Sequence, residues 1–217
     1  LVNLTRASAR SGARGKGSKW SEYDFASWCA VWLLYLVEFS DWDSQSKIGR
    51  GYVDSNSSAI NSGGTDSMTY HTGRASGTDG KTAVQYRHIE NPWGNIFEWI
   101  DGVNFSAGTV YVCTTPENYA DDTSTNYTNV GTKVQSDGYI KALGMSSNMP
   151  WAFFPSEVGG SETTYIPDYA YYSSGWRVLR VGGGWGDGGY AGLFCFDASG
   201  SSSGSGSSVG ARLLFHP

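Results

Sequence analysis

Near the C-terminus, residues 200 to 208 are all Gly or Ser, and only nine residues follow them. By composition such a run is a flexible linker. A linker joins two domains, however, and nine residues fit one more strand at most. The run is therefore a surface segment inside a single fold, and the sequence on either side must supply the sheet that holds its ends. Trp176-Arg-Val-Leu-Arg-Val-Gly-Gly-Gly-Trp185 and Val209-Gly-Ala-Arg-Leu-Leu-Phe215 are both strand-like runs of β-branched, aromatic and aliphatic residues. No Lys or Arg occurs from 181 to 211.

A length of 217 residues is within the range of one domain. Nine Trp, 14 Tyr and nine Phe supply a large apolar surface that offsets the 30 Gly. Phe25, Trp28, Val31, Trp32 and Tyr35 recur at three- and four-residue steps, which predicts a helix from about Glu22 to Phe39 with Ser21 as its N-cap. Leu33, Leu34, Leu36 and Val37 make it apolar nearly all round, the pattern of a core helix. Residues 1–19, rich in Ser, Gly, Ala and Arg, read as an extended or poorly ordered arm ahead of one domain at 20–217. Ile96 to Asn104 and Thr109 to Thr114 form a predicted hairpin around Phe105-Ser-Ala-Gly108, and 116–137 reads as polar loop. One helix and many short strands joined by long loops give an α+β domain.

Several chemistries find no support. A net charge of −5 gives no general affinity for nucleic acid, and the basic cluster Arg6, Arg10, Arg14, Lys16 and Lys19 reads as a solvated arm. The longest apolar stretch, Ala30 to Val37, is far short of the ~20 residues that span a bilayer. Neither membrane insertion nor a signal peptide at Leu1 is expected. Cys29, Cys113 and Cys195 cannot all pair and include no CxxC. His71, His88 and His216 lack metal-ligand spacing. Asp54-Ser-Asn56-Ser-Ser58 starts like a calcium loop without its turn glycine or closing Glu. The segments 75–82, 184–189 and 200–204 match phosphate-loop, dinucleotide and nucleophile-elbow patterns by chance, each without the helix or partner its mechanism needs. No cofactor is implied.

Certain words in the chain do point to a family. Val181-Gly-Gly-x-Trp185, Ala191-Gly-Leu-Phe194 and Gly210-Ala-Arg-Leu-Leu-Phe215 resemble the C-terminal variable region of the variable proteins of diversity-generating retroelements. Trp42-Asp-Ser-Gln45-Ser-Lys-Ile-Gly49 and Tyr86-Arg-His-Ile-Glu90-Asn-Pro-Trp93-Gly-Asn95-Ile-Phe-Glu98-Trp99-Ile-Asp101-Gly are similar to the same family. The latter is more distantly similar to the formylglycine-generating enzymes. The resemblance implies a C-type-lectin-like fold with a variable region at about 182–210. In that family, fixed words alternate with positions rewritten by adenine-directed mutagenesis. Asn codons changed at adenine give Gly, Ser, Asp or Tyr, and a Tyr codon gives Cys, Phe or Ser. Gly184, Gly186, Asp187, Tyr190, Cys195, Asp197, Ser199, Gly200, Gly204, Gly206 and Ser208 fall within those sets.

The resemblance implies a ligand-binding display protein. The expected setting is a phage tail receptor-binding protein in the virion, or a diversified protein on the surface of the bacterial host. Its ligand is then a protein or glycan on a bacterial surface, and an oligomer is compatible with this role. Tyr190 is the expected anchor of binding, Asp187 and Asp197 give polar specificity, and Trp185 and Phe196 form a platform beneath them, with Trp185 equally readable as core. So few large variable side chains imply weak affinity for a randomly chosen protein. An alternative is a relative of the sulfatase-maturation oxidases, which use a pair of cysteines where this chain has only Cys195. Another is a calcium-dependent lectin, although no Glu-Pro-Asn or Gln-Pro-Asp motif is present.

Overall fold

The computed structural model describes residues 1–55 and 57–217; Asn56, within the Asp54 to Ser58 segment, lies outside the described residues. In chain order the first elements are α1 (Arg6–Arg14), β1 (Trp20–Glu22), α2 (Phe25–Phe39) and α3 (Ser44–Lys47). There follow β2 (Gly73–Arg74), β3 (Val84–Tyr86), β4 (Ile89–Glu90), β5 (Phe97–Ser106) and β6 (Thr109–Val112). Next come β7 (Thr128–Thr132), β8 (Gly138–Ser146), β9 (Met149–Val158), β10 (Ile166–Tyr172) and β11 (Trp176–Val181). The last strands are β12 (Phe196–Gly200), β13 (Val209–Gly210) and β14 (Leu213–Phe215).

Sheet dominates. A nine-stranded sheet runs β7-β6-β5-β11-β12-β10-β8-β9, with β13 lying parallel to β5. β7 returns against β8 and β9, where Val134 N–H donates to the Pro155 carbonyl at 2.8 Å, so the sheet nearly closes on itself. The Gly/Ser run has its ends fixed in this sheet: it leaves β12 at Gly200 opposite Val178 and re-enters at Val209 opposite Phe97.

α2 buries Phe25, Trp28, Cys29, Trp32 and Tyr35 and fills the inside of the sheet. Trp28 and Trp32 pack on each other and on Phe196 and Phe194. The helix starts at Phe25, three residues after the expected Glu22. Asp24 is its N-cap, accepting from Ser27 N–H at 2.9 Å. Ser21 instead lies in β1, paired with β14 and bonded to the His216 ring at 2.8 Å. The outer side of α2 leaves Leu33, Leu34 and Val37 exposed, so it is a one-sided core helix despite its all-round apolar sequence.

Two segments depart from the sequence reading. The stretch 1–19 contains α1, capped by Thr5, and it is not an extended arm. Its Arg residues, four apart, stack on one face and reach inward: Arg6 is fully buried, bonded to Asp121 at 2.8 Å and to the carbonyls of Ile100 and Val103. Arg10 pairs with Asp101 at 2.6 Å, and Arg14 reaches the Pro116 carbonyl. The basic cluster is therefore partly structural rather than solvated, and a helix whose inward face is charged carries no apolar period to announce it. The expected loop at 116–137 contains β7.

A candidate ligand-binding face

Alternation in the strands separates the inner face of the sheet from an outer one. In β12, Phe196 and Ala198 join the main core, while on the other side Asp197 accepts from Arg180 of β11 and from Ser199. In β10, Ile166 and Ala170 are core and Tyr169 and Tyr171 face outward. A second apolar cluster of Phe97, Trp99, Val178, Cys195 and Val209, with Tyr171 packed on it, lies beneath this outer face.

Four tyrosines line one end of the face. The Tyr190 ring is 4.5 Å from that of Tyr169 and 5.5 Å from that of Tyr139, and Tyr169 is 4.8 Å from Tyr171. Tyr190 is 43% exposed and forms the crest of the group. Its loop is held from below by Gln45, whose amide donates to the carbonyls of Gly188 (2.9 Å) and Ala191 (2.8 Å). Beside it opens a cleft of about 390 Å3 lined by Asp43, Gln45, Arg50, Glu162, Asp168 and Gly189. Arg50 donates to Asp54 and to the side-chain amide oxygen Oε1 of Gln45. Asp168 accepts from Phe194 N–H at 2.6 Å, and its burial pushes its carboxyl well above the usual range.

Most of the expected variable positions lie along this face, but they divide by depth. Gly186 and Tyr190 are exposed, whereas Asp187, Ser199, Gly200, Gly204, Gly206 and Ser208 are half-buried. Asp187 accepts from Gly184 N–H at 2.5 Å and so closes its own turn. Burial raises its carboxyl, as does the charge of Asp197 nearby. Gly200 and Gly204 lie against the Trp99 ring, where the Gly/Ser run crosses the face. Ser208 accepts from Phe97 N–H through its carbonyl, and Gly206 likewise from Asn3 N–H.

Gly184, Cys195 and Asp197 are buried. Asp197 is therefore not a ligand-facing polar group. It holds Arg180 at 2.7 Å and accepts from Ser199 at both the amide and the hydroxyl. Arg180 in turn lies over the rings of Phe97 and Trp99. Phe196 is core under Trp28 and not a platform, because the Phe194 to Ala198 alternation sends it to the α2 side. Trp185 is half-buried, with its carbonyl accepting from Ser55 N–H at 2.7 Å. Tyr139, Tyr169, Tyr171 and Arg180 were not among the residues singled out by sequence. The alternation Tyr169-Ala-Tyr171 was the available signal for two of them.

The glycines on this stretch differ in what surrounds them. A Cβ on Gly183 would lie 2.6 Å from that of Ala191 and 2.8 Å from its Cα, with φ at +79°. On Gly186 the nearest atom would be the Ser55 carbonyl at 3.5 Å, and on Gly206 the Ser208 hydroxyl at 4.0 Å. Cys195 is enclosed, and burial drives its thiol well above the ordinary value. Among the described residues, no group of three or more His, Cys, Asp and Glu is placed to hold a metal ion, and no helix is long and apolar enough to cross a membrane. No family model matches the chain, and no curated protein matches it in sequence.

Proposed function

We propose that this protein is a ligand-binding display protein with a C-type-lectin-like fold, whose surface at about 182–210 is rewritten by a diversity-generating retroelement. In this reading it acts as a receptor-binding protein of a phage tail, or on the surface of the bacterial host, and its ligand is a protein or glycan of a bacterial surface. The observation that carries the reading is the contrast of Gly183 with Gly186 and Gly206; Gly184, Gly200 and Gly204 are intermediate, with a Cβ 3.0–3.3 Å from its nearest neighbour. Gly183, in a fixed word, has no room for a side chain, whereas Gly186 and Gly206, at expected variable positions, have room and ordinary backbone angles. A loop built to be rewritten needs that distribution, since surface substitutions usually cost less than ~0.5 kcal/mol and buried clashes several times that. The tyrosine group at Tyr190 adds a large, rigid aromatic contact surface of the type that dominates binding energy.

The oxidase alternative requires an accessible thiolate. The enclosed, protonated thiol of Cys195 favours the binding reading. Sequencing the surrounding locus tests the proposal. The expected finding is a reverse transcriptase gene and a near-copy of the codons for about 182–210 carrying Asn or Tyr codons at the variable positions. Absence of both overturns it.

A further inference from the structure

A separate groove of about 430 Å3 lies between α1 and β14, with Leu4, Ala9, Gly12, Ala13 and Leu213 on its walls and Glu22 at its base. Small-molecule sites span roughly 300–1,000 Å3. A Cβ added at Gly12 meets no atom within 4 Å, so the space beside α1 is open and not closed by packing. Glu22 is 1% exposed, and neither carboxyl oxygen has a hydrogen-bond partner among the described residues. A buried carboxyl without a donor is costly.

The neighbouring cations are already engaged. Arg6 of α1 bonds Asp121, Asn104 and two carbonyls of β5, and Arg10 bonds Asp101 and Asp121. Arg212 at the rim pairs with Glu98 and with the Glu90 carbonyl at 2.7 Å. Lys16 also lines the groove. What the groove lacks is an N–H donor at its base, and its walls are apolar.

We infer that this groove binds a small amphipathic primary amine, with the ammonium against the Glu22 carboxylate and a short hydrocarbon tail along α1 and Leu213. An ammonium brings three donors to two unpartnered oxygens, and the tail removes apolar wall from water. Burial and the Asp101 charge raise the Glu22 carboxyl well above the usual range, with Asp121 acting in the same direction and Arg6 and Arg10 opposing. Ion pairing with an incoming ammonium acts against that rise, so any proton the carboxyl carries goes to solvent as the amine binds.

n-Hexylamine titrated calorimetrically into the full chain near pH 7, in two buffers of different ionisation heat, tests this. The expected result is one saturable site, and binding at least about tenfold weaker for 1-hexanol and for Glu22→Gln, since loss of one partner from a buried charge pair is costly. Gly12→Leu is expected to abolish binding while leaving the urea midpoint no lower than wild type, because Leu is the better helix former. Absence of saturable binding, equal binding of 1-hexanol, or undiminished binding by Gly12→Leu overturns the inference.

Discussion

Gly183 and Gly206 belong to the same 182–210 stretch, yet their surroundings are opposite. Gly183 lies at positive φ, pressed on the backbone of Ala191, in a turn held further by Gln45. Gly206 lies in the run that crosses Trp99, at ordinary φ and with open space beside it. The same residue type thus serves as an obligatory packing element in one place and as an empty position in the other. The difference teaches that composition alone cannot rank the sites of a Gly-rich segment, whereas the space available to a Cβ can.

The largest effect is expected where the turn is tightest. Gly183→Ala must displace Ala191 or abandon its backbone angle, and it should cost roughly 3 kcal/mol or more of stability, measured by urea unfolding. A cost below ~1 kcal/mol would break the contrast with Gly206. Asp197→Ala comes next, at about 1–3 kcal/mol, because Arg180 loses its carboxylate partner and Ser199 its acceptor. If unfolding is unchanged, Asp197 belongs with the open positions after all.

Asp168→Asn sharpens the account of the cleft through pH. The folded chain holds the Asp168 carboxyl well above its ordinary value, chiefly by burial, so folding takes up a proton at any pH between the two. Stability from this group is fully present below the unfolded value of about 3.9 and falls as pH rises above it. Asn keeps an acceptor for Phe194 N–H and does not titrate. The stability difference, variant minus wild type, should therefore grow as pH rises above about 4. A difference that stays constant with pH contradicts the burial argument. The smallest effect belongs to Gly206→Ala, expected within ~0.5 kcal/mol of wild type.

Much of the inner architecture was legible because apolar period announces it. The spacing of Phe25, Trp28, Trp32 and Tyr35 gave α2, and its start was misplaced only because Asp24 and Ser21 are both good caps and local sequence does not say which one caps. α1 was not legible, since its inward face is a row of Arg whose partners Asp101 and Asp121 are about a hundred residues away. The Gly/Ser run reads as a surface segment, and residues 201–208 alternate between exposed and half-buried, whereas the flanking words at 181–184 and 191–194 are buried. The depth of the candidate face was not legible. Asp197 and Phe196 are adjacent in sequence and went to opposite sides of β12, which depends on strand phase, and the tyrosine group required β8, β10 and the Tyr190 loop to meet.

The most direct test of the partition is a fold-scored library. Positions 183, 186 and 206 would each be replaced by Asn, Ser, Asp and Tyr, and the soluble, protease-resistant fraction of every variant measured. The expected result is wild-type-like folding for all four residues at 186 and 206 and loss of the folded fraction for all four at 183. Comparable losses at 186 or 206, or tolerance at 183, would contradict the claim that this surface is arranged to vary around a fixed turn.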